Sequence, residues 1–217
     1  ELTLVGYCLG GTIASIYASI AEENIKNLIV ATVPIDFSTF VGPDKWAEGF
    51  KNGDINIDRF IDVYGIIPSS YVEAMFRAVS APVYFSHYTM LLNRAHDPKY
   101  VDKWRRMNKW TTDQVPFAGE AFRQLANDLF KGNKLVKGEL TIGNKNADLK
   151  NIKSNLFVIS STNDNLVLEP QSLPIMDLVS SEDKTYKLVE AGHVSLALTG
   201  LFAVVVDEWA STRSNPL

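Results

Sequence analysis

The sequence has little cysteine, no excess of positive charge and no long apolar run. Its one cysteine, Cys8, excludes an intramolecular disulfide within these residues and fits a reducing compartment, so we expect a cytoplasmic protein. A net charge of -4 offers no basic field for a phosphate backbone, which argues against nucleic-acid binding. The longest apolar run, residues 196–206, is interrupted and well short of the ~20 residues that a spanning helix needs. We therefore expect no membrane span.

Cofactor and metal motifs are also missing from the sequence. No glycine pattern follows the rules for a dinucleotide or phosphate loop, and no histidines and carboxylates stand at metal-ligand spacing beside Cys8. We therefore expect neither a cofactor nor a metal. The 217 residues, 46% hydrophobic and 21% charged, suffice for one soluble core domain with an insertion. The sequence begins at Glu1 without methionine and reads as a strand from its second residue, from which we infer an N-terminal truncation.

Four runs of apolar and β-branched residues predict strands. Residues 2–7 are mostly apolar, which is typical of a strand buried on both faces of a parallel sheet. The other predicted strands are residues 27–33, 155–161 and 185–189. Helical periodicity separates them at residues 12–22, 173–179 and 196–209. This alternation predicts an α/β fold with a mostly parallel sheet.

The first predicted helix has its large apolar residues at helical spacing. Its packed face is expected to carry Ile13, Ile16, Tyr17 and Ile20. A long segment, residues 37–150, then separates the second strand from the third. It is rich in aromatic and helical sequence, shows no strand alternation, and contains one clear amphipathic helix at residues 118–129. We predict a core built from residues 1–36 and 151–217, with residues 37–150 inserted as a largely helical cap.

The first strand ends in a motif of nucleophilic enzymes. Gly6-Tyr7-Cys8-Leu9-Gly10 has the form G-x-C-x-G, the nucleophile elbow of the α/β-hydrolase fold with cysteine in the serine position. The elbow is a strained turn, so Gly6 and Gly10 are expected to prevent clashes. The positive end of the following helix favours a thiolate, and the Leu9 N–H is expected to face a developing oxyanion. A cysteine beside glycines is also found at tight packing sites, so the motif alone decides nothing.

The order of residues along the chain supports catalysis. In this fold the acid follows a later strand and the histidine follows the last one. Asp164 stands three residues after the predicted strand 155–161, and His193 stands four residues after the strand ending at Val189. We predict a triad of Cys8, Asp164 and His193. Asp36, just after the second strand, is the alternative acid, although a structural role suits it better.

Several strings of the inserted segment, taken with the elbow, resemble one family. Residues 109–116, KWTTDQVP, hold a W-x-x-D-x-x-P pattern at Trp110 and Asp113, and GEAFRQ and NKLVKGEL follow at residues 119–124 and 133–140. With cysteine in a lipase-like box, these strings resemble the polyhydroxyalkanoate synthases. The similarity is greatest to the short class III and class IV enzymes that require a second subunit. One departure is Asn165, where the family usually has histidine after the aspartate.

The resemblance implies an acyltransferase that polymerises (R)-3-hydroxyacyl-CoA through a thioester on Cys8 and releases coenzyme A. The implied partners are this substrate, the growing polyester chain, a second synthase subunit and further copies of the chain, at polyhydroxyalkanoate granules. Coenzyme A thioester is then a substrate and not a cofactor, and Trp110 and Asp113 would support the site. Two alternatives stay open: a cysteine-dependent hydrolase of the same fold, such as a thioesterase or dienelactone hydrolase, and a non-catalytic granule-binding homologue.

Overall fold

The computed structural model describes residues 2–21, 24–39, 49, 52 and 56–214, except for the side chains of residues 79 and 81–84. The chain divides into two compact units. One comprises Glu1–Phe40 and Asp128–Leu217, and the other comprises Val41–Asn127. The division differs from the one expected from the sequence, because residues 128–150, which we assigned to the cap, belong to the unit that holds the sheet.

Packing explains why residues 128–150 belong with the sheet. Leu135, Leu140 and Leu149 are each no more than 2% exposed. The side-chain amide of Asn151 donates a hydrogen bond of 3.1 Å to the carbonyl of Ser19 at the end of the first helix. These buried side chains are spaced irregularly along a looping segment, so no helical or strand period identified them. Whether the remaining inserted residues act as a cap stays a prediction.

The first unit is built on a four-stranded parallel sheet. Its strands lie in the order Leu2–Tyr7, Ile25–Ala31, Asn155–Ser161 and Lys184–Val189, which is also their order along the chain. The two central strands are buried almost throughout. All four were predicted, two of them with the observed bounds. The carboxyl ends of the strands lie at one edge of the sheet, which is where ligands bind in open parallel sheets.

The first strand is more exposed than its sequence suggested. We expected residues 2–7 to be buried on both faces, but Leu2 is 55% exposed and Val5 47% exposed. Within the described sheet this strand pairs on one side only, with Ile25–Ala31. The described residues therefore cover the first strand less completely than its composition led us to expect.

The helix Leu9–Ile20 was predicted, but the face that packs on the sheet was assigned wrongly. Ile13 is 60% exposed and Tyr17 is 41% exposed. The buried residues are small: Gly11, Thr12, Ala14, Ser15 and Ser19. Small side chains let the helix approach the sheet closely, and their hydroxyls are satisfied locally, as when Ser15 Oγ donates to the Gly11 carbonyl at 2.8 Å.

The later helices are shorter than predicted. The stretch expected as one helix at residues 173–179 contains Ile175–Leu178, preceded by Glu169–Ser172. The closing helix predicted at residues 196–209 is two helices, His193–Leu198 and Leu201–Ala210. Gly200 separates them with φ of 79°, a left-handed conformation that glycine adopts at little cost. In the core beneath, Phe157 stacks on Trp209 with ring centroids 5.0 Å apart.

The second unit is helical in its described part. Its helices are Ile57–Tyr64, Ser69–Val79, Ala81–Asn93, Pro98–Thr112 and Gly119–Gln124. A two-residue antiparallel pair, Ile66–Ile67 with Phe117–Ala118, was not expected from the sequence. The predicted amphipathic helix begins at Gly119 and continues beyond Gln124 as a π-helix, Leu125–Lys131. None of the helices in the described ranges is both long and apolar enough to cross a bilayer.

Candidate active site

Cys8 lies on the sharp turn between the first strand and the first helix. Its backbone has φ of 53° and ψ of -131°, a conformation that is costly for a residue with a side chain. The Cys8 N–H donates to the carbonyl of Ala31 at 2.9 Å, which ties the turn to the neighbouring strand. Gly11 N–H donates back to the Cys8 carbonyl at 2.8 Å. The thiol is thus held at the carboxyl edge of the sheet by a strained and hydrogen-bonded elbow.

The glycines of the elbow act differently from our expectation. A Cβ atom at Gly6 would lie 2.4 Å from Gly11 Cα, so Gly6 is required. A Cβ atom at Gly10 would meet nothing within 4 Å among the described residues, so the explanation we gave for Gly10 was wrong. Gly11 is the second constrained position, because a Cβ there would lie 2.8 Å from Val33 Cγ2. The first helix crosses the strand at Gly6 and Gly11 and not at Gly10.

The backbone amide of Leu9 begins the helix that follows Cys8. Leu9 is the first residue of Leu9–Ile20, so its N–H has no acceptor within the helix. Among the described residues it donates no hydrogen bond to any other group. An unpaired amide at a helix N-terminus, next to the thiol, is the kind of donor that stabilises an oxyanion. The oxyanion role of Leu9 stays a prediction.

His193 and Asp164 are joined by a short hydrogen bond. His193 Nδ1 lies 2.7 Å from Asp164 Oδ2, and the Asp164 side chain is 0% exposed. The other carboxylate oxygen, Oδ1, accepts the backbone N–H groups of Leu166 and Val167, each at 2.9 Å. Both oxygens of the Asp164 carboxylate are therefore engaged, and Oδ2 orients the imidazole through Nδ1.

The two loops that carry these side chains are paired by their backbones. Thr162 N–H donates to the Val189 carbonyl, and Asn163 N–H donates to the Ala191 carbonyl, both at 3.0 Å. These bonds continue the pairing of the last two strands beyond their ends. His193, which we expected in a loop, is the first residue of the helix His193–Leu198, with Gly192 as its N-cap. Its orientation is thus fixed by both the loop pairing and the helix.

The electrostatics of His193 link it to both Asp164 and Cys8. Burial lowers its pKa, but hydrogen bonds to Asp164 and Cys8, with the charges of these groups, outweigh burial and raise the pKa to about 9. Asp164 occupies Nδ1, which leaves Nε2 as the ring nitrogen for an interaction with the thiol. The imidazole therefore carries a proton at neutral pH beside the sulfur. A thiol next to such a cation is the arrangement found in nucleophilic cysteines.

The pKa of His193 predicts a pH-dependent stability. The group titrates at 6.5 without these contacts and at about 9 in the folded chain, so the folded state binds the proton more tightly. This stabilisation is complete below pH 6.5 and is lost as the pH rises through 9, a change of about 3 kcal/mol. We expect NMR to show His193 titrating near 9, with His87 below 6.5 because burial lowers its pKa. Urea unfolding of His193→Gln should lack the slope, and a native His193 titrating at its ordinary pH would contradict the prediction.

Asp36, the alternative acid, forms its hydrogen bonds with Ser38 and Asn133 and not with His193. Its Oδ1 accepts from the Ser38 N–H at 2.8 Å, from Ser38 Oγ at 2.6 Å and from Asn133 Nδ2 at 2.8 Å. Burial acts to raise its pKa, but these hydrogen bonds lower it. Asn133 Oδ1 in turn accepts the Phe37 N–H at 3.0 Å. Asp36 thus closes the turn after the second strand, and among the described side chains the imidazole of His193 pairs with Asp164 instead.

Trp110 and Asp113 lie in the second unit. Trp110 is in the last turn of Pro98–Thr112 and is 61% exposed. Asp113 ends that helix, where its N–H donates to the Lys109 carbonyl at 3.0 Å. Their proposed support of the site stays a prediction. In the described part of the chain, no group of three or more His, Cys, Asp or Glu side chains could hold a metal ion.

Tyr7 is a neighbour of the site that sequence reasoning missed. Its hydroxyl donates to the backbone carbonyl of His193, 186 residues away in the chain. Its position inside the elbow motif was visible, but the contact was not, because it depends on how the helix His193–Leu198 packs on the sheet. No local signal encodes such a contact.

The chain is similar in sequence to proteins of one family and to named enzymes. A family model described as "Protein of unknown function (DUF3141)" matches residues 3–196. The chain is 31% identical over 221 residues to the poly(3-hydroxyalkanoate) polymerase subunit PhaC of Synechocystis sp., covering 98% of this chain and 58% of that protein. It is 28% identical over 222 residues to the PhaC subunit of Haloferax mediterranei, covering 99% of this chain and 44% of that protein. The chain spans about half the length of these relatives, and the resemblance seen in the motifs is confirmed.

The fold is confirmed by solved structures. A monoacylglycerol lipase from Paleococcus ferrophilus superposes with a TM-score of 0.55 at 14% identity, over 99% of this chain and 69% of that one. Such low identity reports the fold alone. The chain has the α/β-hydrolase fold predicted from its elbow and strand order.

Proposed function

Because the chain belongs to the family described as protein of unknown function DUF3141 and is similar to poly(3-hydroxyalkanoate) polymerase subunits, we propose that it carries the nucleophile of a polyester synthase. The reaction is the polymerisation of (R)-3-hydroxyacyl-CoA with release of coenzyme A. One observation supports it above the rest: Cys8 occupies a strained elbow, and the imidazole of His193, bound by Asp164 at 2.7 Å, has its pKa raised by both Asp164 and Cys8. The fold and the similar proteins together support an enzyme that is either synthase-like or a hydrolase.

The first step is acyl transfer to the thiol. The Cys8 thiolate, paired with the His193 imidazolium, attacks the thioester carbonyl and forms a new carbon–sulfur bond. The Leu9 N–H stabilises the tetrahedral oxyanion. As the intermediate collapses, the bond to coenzyme A breaks and the leaving thiolate takes the proton from His193. The products are an acyl thioester on Cys8 and free coenzyme A.

The second step extends the chain. His193, now neutral and oriented by Asp164, accepts the proton of a 3-hydroxyl group as that oxygen attacks the next acyl thioester. A carbon–oxygen ester bond forms, the carbon–sulfur bond of that thioester breaks, and the leaving thiolate takes the proton from His193. Transfer between thiols is nearly isoenergetic, so an acyl chain on Cys8 stays activated in a way that an oxygen ester would not. A cysteine in the serine position of the elbow therefore suits a polymerase better than a hydrolase.

Product analysis tests the proposal. The full-length protein, with its second subunit if it needs one, is incubated with (R)-3-hydroxybutyryl-CoA while coenzyme A release is followed with a thiol reagent. We expect release of coenzyme A together with solvent-extractable polyester. Coenzyme A with free 3-hydroxybutyrate and no polymer would identify a hydrolase, and no release at all would favour a non-catalytic homologue.

A further inference from the structure

Tyr7 binds a backbone carbonyl in the first turn of the helix that carries His193. Its hydroxyl donates to the carbonyl of His193. The phenol therefore holds the N-terminal turn of His193–Leu198 from outside, at the residue that bears the imidazole.

The ring of Tyr7 is also packed against the site. It meets the His193 ring edge-on, with centroids 5.8 Å apart and planes at 75°. Phe202 packs on Tyr7 in the same manner, at 5.5 Å and 89°. Burial raises the pKa of Tyr7, and the charges of Asp164 and Cys8 act in the same direction. The hydroxyl therefore keeps its proton at neutral pH and remains able to donate.

Because Tyr7 is next to Cys8 in the chain, its contacts with His193 connect the nucleophile to the histidine. Tyr7 precedes Cys8 directly, and the Cys8 N–H is fixed to Ala31, so the phenol and the thiol project from one rigid turn. Asp164 fixes the rotation of the imidazole through Nδ1, but it does not fix the backbone of residue 193. Tyr7 contacts that backbone. The thiol and the imidazole are thus connected through one side chain, although they lie far apart in sequence.

We propose that Tyr7 is a positioning residue that sets the distance between the Cys8 thiol and the His193 imidazole by holding the His193 carbonyl. The inference rests on the proposed function, in which these two groups form the nucleophilic pair. The loss of the hydroxyl would leave the ring packing intact but free the first turn of the helix. The pair would then loosen, and the contribution of Cys8 to the raised pKa of His193 would weaken.

Tyr7→Phe tests the proposal because it removes one oxygen atom and retains the ring. The first readout is the rate of alkylation of Cys8 by iodoacetamide from pH 5 to pH 10, which is clean because the chain has one cysteine. The second is the NMR titration of His193, one of three histidines. We expect neutral-pH alkylation to slow by about three- to tenfold, the range that one neutral hydrogen bond supports. The titration of His193 should move down from about 9 towards 6.5.

A matched control is Tyr186→Phe. The Tyr186 hydroxyl donates to Glu169 Oε1 at 2.6 Å in the same unit, so the variant also loses one tyrosine hydrogen bond. It should change neither the alkylation profile nor the His193 titration. If Tyr7→Phe does not fold, Phe202→Leu replaces it, since it removes a ring that supports Tyr7 and should shift both readouts in the same direction by less.

The proposal is overturned if the folded Tyr7→Phe protein, or Phe202→Leu in its place, keeps the native alkylation profile and the native His193 titration. A change in thermal unfolding alone, with both readouts native, would also count against it, because that is the signature of a purely structural contact. Neither readout uses an acyl-CoA. Tyr7→Phe could therefore change both readouts while the native protein makes no polymer. That combination would contradict the proposed function and not the positioning role.

Discussion

Cys8→Ala is expected to abolish the release of coenzyme A from (R)-3-hydroxybutyryl-CoA, with a loss of turnover of about 10⁴-fold or more. The variant removes the atom that forms the covalent bond, and the described residues around the elbow offer no second thiol. Alanine retains the backbone that adopts φ of 53° at this turn. Intact-mass measurement of acid-quenched reactions should show an acyl adduct on the native protein and none on the variant.

Cys8→Ser is the matched control for this prediction. It preserves the size of the side chain and a hydrogen-bonding atom for His193, but the hydroxyl does not ionise beside the imidazolium as a thiol does. We expect a folded protein with strongly reduced turnover, and an acyl adduct that resists neutral hydroxylamine, as oxygen esters do. A Cys8→Ala variant with native turnover would contradict the proposed function, because the reaction would then not need the thiol.

The three residues of the candidate site were predicted from signals that are local in the sequence. The elbow motif fixes a strand, a turn and a helix within a few residues, and the strand ends that precede Asp164 and His193 are visible as apolar runs. Parallel strands bring their carboxyl ends to one edge, so three side chains distant in sequence were expected to meet. The structure brings His193 to Asp164 at 2.7 Å and links it to Cys8.

The first helix shows where the same reasoning fails. Hydrophobic periodicity identifies a helix with a large apolar face, but it does not say which face meets the sheet. Here the sheet receives the small face, and Ile13 remains 60% exposed. The rule that large apolar residues are buried is statistical, and a helix pressed closely against a strand at Gly6 and Gly11 has no room for them.

Contacts between segments that are distant in the chain could not be predicted from the sequence, for a different reason. Gly10 was expected to be constrained, and no described residue constrains it, whereas Gly11 is constrained by Val33, which follows the second strand. Tyr7 contacts His193 across 186 residues of sequence. Both contacts depend on how helices and strands pack against each other. A single sequence shows the hydrophobic period of each helix or strand, but it does not show which element packs against it.

Asp164→Asn is expected to reduce kcat about 10³-fold or more, whereas Asp36→Asn should leave most of it. Asparagine at residue 164 retains an oxygen for the amides of Leu166 and Val167, so the loop should keep its shape. Its amide group, however, would face His193 Nδ1 and favour the wrong tautomer. The NMR titration of His193 should fall well below 9 in this variant.

Asp36→Asn serves as the matched control because it makes the same chemical change at a carboxylate bonded to Ser38 and Asn133. Its effect should appear in stability more than in kcat, since one carboxylate oxygen holds the turn after the second strand. A larger loss of kcat in Asp36→Asn than in Asp164→Asn would overturn the assignment of the acid. If Asp164 acts only through the imidazole, adding Asp164→Asn to His193→Gln should cost little more than His193→Gln alone, because residues that act as a unit are not additive.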